Sequence, residues 1–323
     1  MSGGRRLFTV LAVVLPLCVA AGLVWLVAQR AGGGREEEAG RPTGAPSAAG
    51  SADATPGEPS EPADPAEPSG SSPDVAPGPS TSGPADGDAR PGGSKALAGR
   101  VVVIDPGHNP GNRNHPAELN RLVDIGTGRK ECDTTGTASN AGYPEARFTL
   151  EVSRRVRTLL EERGAEVRFT QDDDRPFGPC IDERARIGNR AKADAVVSVH
   201  ADGSAPGNRG FHVILPAAVK SGAADTTGIV EESRRLGGHL ADHYRSATGM
   251  RPAGYLGPRT AATGLTTRDD LGGLNLSRVP KVFLECGNMR DAEDVALLTD
   301  PAWQGKAARG IADGVTSFLV GKR

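Results

Sequence analysis

Aromatic side chains are scarce in this chain: seven Phe, three Tyr and two Trp among 323 residues, with none between residues 31 and 95. That stretch also holds twelve of the 25 prolines and sets eleven acidic residues against Arg35, Arg41, Arg90 and Lys95. It cannot bury enough apolar surface to offset the entropy of ordering, so it reads as a disordered linker. A single globule running through the whole chain is thereby excluded. A dominant charge is missing as well. The formal net charge is −2, made of +3 in residues 1–30, −7 in 31–95 and +2 in 96–323. A nearly neutral C-terminal part excludes a basic nucleic-acid-binding surface, so no nucleic-acid partner is expected. Long apolar runs are absent but for one, which excludes a multi-span membrane protein.

The one run is Leu7–Ala28, 22 residues without a charge. As a helix it spans roughly 33 Å, enough for a bilayer core of about 30 Å. Arg5 and Arg6 precede it and an acidic stretch follows Arg30, so the C-terminal bulk is expected outside the cytoplasm. Residues 1–30 therefore read as a single transmembrane signal anchor, 31–95 as the linker and 96–323 as the folded catalytic part, extracytoplasmic and tethered to the membrane. The rivals are a cleaved signal peptide, which would secrete the domain, and a lipid-modified Cys18. The run is long for a signal peptide and no A-x-A site follows it, and Leu17 is larger than the small residue that lipidation favours. All three readings export the domain. As a flexible coil the linker sets its ends roughly 45 Å apart. It shows no repeat of structural period and reads as a passive spacer, and the exported unit as a monomer.

Cysteine is rare too, with four residues. Cys18 lies in the apolar run. Cys132 and Cys180 fall in Gly/Pro/Asp-rich loops, where exposed thiols oxidise outside the cell. A Cys132–Cys180 disulfide is expected, although sequence does not fix the pairing. Cys286 ends an apolar run and reads as a buried free thiol.

What is present has the rhythm of an α/β protein. Arg100–Asp105, Glu166–Thr170, Ala195–His200, Gly210–Leu215 and Lys281–Cys286 read as strands. Helices are expected from Pro144 and Glu145 to a stop at Gly164, from an N-cap at Asp182 to about Lys192, over 229–247 and over 302–319. Phe148, Val152, Val156, Leu159 and Leu160 recur at helical spacing in the first of these. Alternating strands and helices predict a mostly parallel twisted sheet flanked by helices, with reactive groups at the carboxyl ends of its strands.

Four such groups stand out: His108 after the first strand, Glu145 opening the first helix, His200 ending AVVSVH and Glu285 ending KVFLE. Two His and one Glu make a catalytic zinc set that leaves a position for water, and the remaining carboxylate can act on that water as general base. Taken singly, each is ordinary. A His after a strand is usually a polar loop residue, and a Glu at a helix start complements the dipole. Glu285 is the exception, because an unpaired carboxylate inside VFLEC is costly to bury. His239 and His243 share the i, i+4 spacing of H-E-x-x-H zinc sites, but Leu240 stands where the Glu belongs. His115 and His212 read as structural.

The ordered blocks VVVIDPGH, a Glu opening an amphipathic helix, Arg184…Asn189…ADAVVSVHAD and VPKVFLECGN resemble the zinc-dependent N-acetylmuramoyl-L-alanine amidases of the amidase-3 type, especially secreted actinobacterial members. The resemblance covers about 100–320. It implies a zinc amidase/exopeptidase-like fold, Zn2+ held by His108, Glu145 and His200, and Glu285 as the catalytic glutamate. It also implies peptidoglycan as partner and the amide between N-acetylmuramic acid and L-alanine as the bond cut. The sequence departs from the family where many members read GHGG and this chain reads His108-Asn109-Pro110-Gly111, and where HAN becomes His200-Ala201-Asp202. The loop 109–143 is long, holds Cys132 and reads as a partial cover of the cleft, its role left open by the sequence. A zinc peptidase acting on the stem peptide, or a tethered peptidoglycan-binding protein without catalysis, are the alternatives.

Overall fold

The computed structural model describes residues 95–321. The apolar run 7–28 and, but for Lys95, the segment 31–95 lie outside the described residues. Among the described residues no helix is long and apolar enough to cross a membrane.

In chain order the strands are β1 (Val101–Pro106), β2 (Leu122–Asp124), β3 (Arg129–Glu131), β4 (Glu166–Phe169), β5 (Ala195–Asp202), β6 (His212–Pro216), β7 (Lys220–Ser221), β8 (Ala224–Asp225), β9 (Leu265–Arg268) and β10 (Lys281–Asn288). The longer helices are α1 (Glu145–Glu162), α2 (Ile181–Arg190), α3 (Val230–Thr248), α4 (Ala292–Leu298) and α5 (Pro301–Val320). Six strands form one sheet in the order β4-β1-β5-β10-β6-β9. Its pairings are parallel except β10 with β6. The mostly parallel sheet flanked by helices is therefore present, with β6 and β9 running against the rest.

The three central strands alternate between two environments, as the two-residue period of a strand dictates. Val102, Ile104, Val197, Val199, Val282, Leu284 and Cys286 face the main core, shared with Phe148, Val152, Val156 and Leu160 of α1 and with residues of α3 and α5. Asp105, Ser198, His200, Phe283 and Glu285 point to the other face and line a cavity there. Runs that read as uniformly apolar thus carry chemistry on every second residue.

Several boundaries differ from expectation. The cap of α2 is Cys180, not Asp182. Asp182 sits inside the first turn, where it pairs with Arg186 at 3.0 Å, a placement the helix dipole also favours. Pro144 is the N-cap of α1 rather than its first helical residue. Strand β10 continues three residues past Glu285, with a register irregularity between Glu285 and Asn288. Cys132 and Cys180 are bonded to each other. They are not exposed loop thiols: both are buried, in a small core with Leu119 and Val123. Cys286 is free and buried.

Candidate active site

Gly107 turns the chain out of β1 and hands it to His108, whose φ of 61° is in the left-handed region. Space explains the glycine: a Cβ at 107 would lie 2.3 Å from the His200 ring. The Glu145 carboxyl stands at the first turn of α1 and is buried. Its Oε1 lies 3.0 Å from His200 Nδ1 and 3.4 Å from His108 Nε2. Thr137 N donates to Oε2 at 2.9 Å and Ala201 N to Oε1 at 3.2 Å. One ligand atom from each of His108, Glu145 and His200 falls within 4.8 Å of the other two.

The opposite ring nitrogens fix the tautomers. His108 Nδ1 faces Thr134 O at 3.2 Å and Asp133 Oδ1 at 3.3 Å, both acceptors, so it carries the proton. His200 Nε2 faces Ser198 Oγ at 3.1 Å, and that hydroxyl donates to Asp105 Oδ2 at 2.8 Å, so Nε2 carries the proton. His108 Nε2 and His200 Nδ1 are therefore the ring nitrogens left facing Glu145. A metal-ligating His donates its other N–H to an outer acceptor in this way, so the donor set fits a zinc ion. Burial opposes charge on His108, yet Glu145 and Asp133 raise its pKa well above the ordinary value. Burial also opposes ionisation of Glu145, but His108 and His200 hold its carboxyl well below the usual range.

Glu285 is registered beside His200 across the sheet. Its Oε2 is buried and has no hydrogen-bond partner. Burial first, then the negative Glu145 and Asp202, push its pKa well above the ordinary value. A buried orphan oxygen calls for a partner, here an open face of a cavity of about 350 Å³. His108, His200 and Phe283 also line it, with Lys130 and Arg268. Phe283 stacks on His200 with ring centroids 5.0 Å apart.

His212, read from sequence as structural, pairs with Glu285 on the other side and shares its sheet face; its Nδ1 is likewise buried without a partner. No local signal marks it; only the register of β6 against β10 does. His115 stacks on Phe177. His239 and His243 lie on α3, where His239 Nδ1 meets Ser317 Oγ at 3.1 Å, and they join no cluster of three metal-binding groups among the described residues. The two departures have local partners. Asn109 caps the turn at 110–114 and donates to Gly178 O at 3.0 Å, and Asp202 accepts the Tyr255 hydroxyl. Asp133 and Thr134, from the long loop, line the cavity.

Two imidazoles and a carboxylate meet at the carboxyl edge of a mixed α/β sheet with a second buried carboxylate beside them, an arrangement that a hydrolase can use. The Amidase_3 family, described as N-acetylmuramoyl-L-alanine amidase, matches residues 102–317. An N-acetylmuramoyl-L-alanine amidase of Mycobacterium tuberculosis is 38% identical over 229 residues, 69% of this chain and 88% of that protein. The crystal structure of the amidase Ami1 from Mycobacterium smegmatis is 38% identical, with a TM-score of 0.63 over 70% of this chain and 99% of its own. That of Ami1 from Mycobacterium abscessus is 41% identical, with a TM-score of 0.62 over 69% and 100%. The chain belongs to the Amidase_3 family, and its enzyme activity is that of an N-acetylmuramoyl-L-alanine amidase, a peptidoglycan hydrolase. That decides against the stem peptidase and the non-catalytic binder.

Proposed function

We propose that the chain hydrolyses the amide between N-acetylmuramic acid and L-alanine with one zinc ion held by His108, Glu145 and His200, and with Glu285 as general base. The observation that carries this is the convergence of three metal-type ligand atoms beside a buried carboxylate oxygen without a partner. Bound there, zinc would supply Lewis-acid polarisation of the scissile carbonyl and acidify the attacking water. The protein's own part is positional and protonic. Ser198 and Asp133 hold one nitrogen of each imidazole and so keep the other turned inward. Glu285, whose buried Oε2 has no protein partner, takes a proton from the water and gives one to the leaving amine.

The test is metal content together with product identity. His108→Ala and His200→Ala should each lose most of the zinc and all activity, and mass spectrometry of digested wall should show free lactyl groups. Zinc retained in both variants would sink the ligand assignment; His239→Ala emptying the site would move it to the HLADH helix.

The division into residues 1–30, 31–95 and 96–323, the membrane anchor with the catalytic part outside the cytoplasm, and the monomeric state belong to the same proposal. They rest on the uncharged run 7–28 and the acidic, proline-rich stretch after it, and on a disulfide of the kind that persists in oxidising compartments.

A further inference from the structure

Arg184 sits in the first half of α2 and lines the same cavity as His108, His200 and Glu285; it is buried and every nitrogen of its guanidinium has a partner. Nη1 donates to Asp105 Oδ1 at 2.7 Å and to Pro106 O at 2.8 Å, Nη2 to Asp133 Oδ2 at 2.9 Å, and Nε to Pro179 O at 2.9 Å. The two carboxylates it grips are the two that support the histidines. Asp133 turns its other oxygen to His108 Nδ1 at 3.3 Å. Asp105 turns its other oxygen to Ser198 Oγ at 2.8 Å, and Ser198 faces His200 Nε2 at 3.1 Å. Each carboxylate thus has one oxygen on Arg184 and the other supporting a different imidazole, Asp133 directly and Asp105 through Ser198.

We propose that Arg184 is a positioning residue that couples the two imidazole ligands, so that the orientation of His108 and that of His200 are set by one rigid fork. The inference rests on the reading of His108 and His200 as zinc ligands. Lys281 Nζ on Asp105 at 3.1 Å completes the network as two cations and two carboxylates, which lets it be buried without net charge. Lysine cannot replace the fork: an ammonium is a point charge, whereas the planar guanidinium holds two carboxylates at a fixed separation. Thr170, Ser198 and Lys281 satisfy both oxygens of Asp105 without Arg184, so satisfaction of one buried carboxylate does not account for it. The link to Asp133 does.

The experiment measures zinc affinity of the full chain by competition with a chromophoric chelator, with thermal unfolding and circular dichroism as controls. Arg184→Lys is expected to fold and to bind zinc about 10- to 100-fold more weakly, the usual effect of losing an outer support. Ser198→Ala and Asp133→Asn, which leave Arg184 in place, form a double-mutant cycle that does not depend on the arginine variant folding. Their joint loss should differ from the product of the single losses, because each arm loosens the same fork. A folded Arg184→Lys with parental affinity, or strictly independent losses in the cycle, overturns the coupling. A parent chain that binds no zinc, or one that binds it undiminished after His108→Ala, overturns the ligand reading instead.

Discussion

Glu145 and Glu285 are chemically the same residue in two electrostatic settings, and the difference assigns their proposed work. Glu145 is held by His200, Thr137 N and Ala201 N with its oxygens among the two imidazoles; Glu285 has a buried Oε2 with no partner on the protein. Glu285→Gln preserves shape and removes the base, so the rate should fall by about 10²–10⁴ while zinc content and melting temperature hold. Glu145→Gln should lose zinc together with activity, because a neutral amide is a poorer ligand. Metal analysis of the two purified variants separates the roles, and loss of zinc from Glu285→Gln alone would reverse them. His212 offers a test through pH. Burial lowers its pKa to about 4, against the pull of Asp202 and with the help of Arg268. An unfolded imidazole takes its proton near the ordinary value, the folded one only near about 4, so the unfolded state binds more protons in between. Stability contributed by neutral His212 is present above that window and is lost as pH falls through it, by up to about 3 kcal/mol. In urea titrations His212→Asn should show a shallower fall in stability over this range than the parent; equal slopes would place the titration elsewhere. Glu285 can be singled out from sequence because a lone carboxylate in VFLEC conflicts with its neighbours. His212 cannot, since only strand register puts it beside Glu285.

Elements are legible where burial enforces a period. The apolar stripe of α1 and the runs of β1, β5 and β10 announce themselves because one face of each meets the same core. Strand β9, LTTR at the sheet edge with no fully buried residue, has no such stripe and does not read as a strand; nor does either half of the two-stranded β2–β3 in the long loop. The α3–α5 contact shows a detail that periodicity alone does not reveal. Gly310 and Gly314 sit one turn apart on α5, and a Cβ at either would come within 2.9 Å and 2.8 Å of Tyr244 Cα and Leu240 Cα. Backbone cannot move aside as a side chain can. Gly314→Ala should therefore destabilise by about 1–3 kcal/mol through overpacking, although alanine is the better helix former. Gly305→Ala, on the same helix with open space around its Cβ, should instead stabilise by about 0.5–1 kcal/mol. Opposite signs in chemical denaturation are the expected result; a stabilised Gly314→Ala would mean that the helices are not in close contact. The disulfide tests the long loop in the same way. It closes 48 residues, worth up to about 4 kcal/mol in the chain-entropy model, and Asp133 follows Cys132 directly. Cys132→Ser with Cys180→Ser should lower the melting temperature and also weaken zinc binding by slackening the support of His108; parental zinc affinity would show that Arg184 and Asn112 hold Asp133 without the disulfide.

At the scale of the whole molecule the proposal separates placement from catalysis. Every residue assigned to chemistry lies between Asp105 and Glu285, and the family match begins at residue 102. The proposed part of the first 94 residues is to fix where the hydrolase works: an uncharged run 7–28 behind Arg5 and Arg6, then a stretch of net charge −7. On that proposal the acidic, proline-rich stretch would act as a spacer giving reach to an enzyme whose substrate is a polymer. A chain beginning at residue 95 should then digest purified peptidoglycan with kcat/KM close to that of the full protein. It should differ in whereabouts: the full chain should sediment with membranes and resist salt extraction, whereas the shortened domain, exported behind a cleavable leader, should be recovered in the soluble fraction. Shortening the spacer while keeping the anchor should leave activity on soluble wall fragments unchanged and reduce turnover of intact wall, because reach and not chemistry is altered. Full-length protein found soluble, with its N-terminus beyond residue 28, would favour the cleaved-leader alternative. Equal turnover of intact wall by short- and long-spacer forms would show that reach does not account for the length of the acidic stretch.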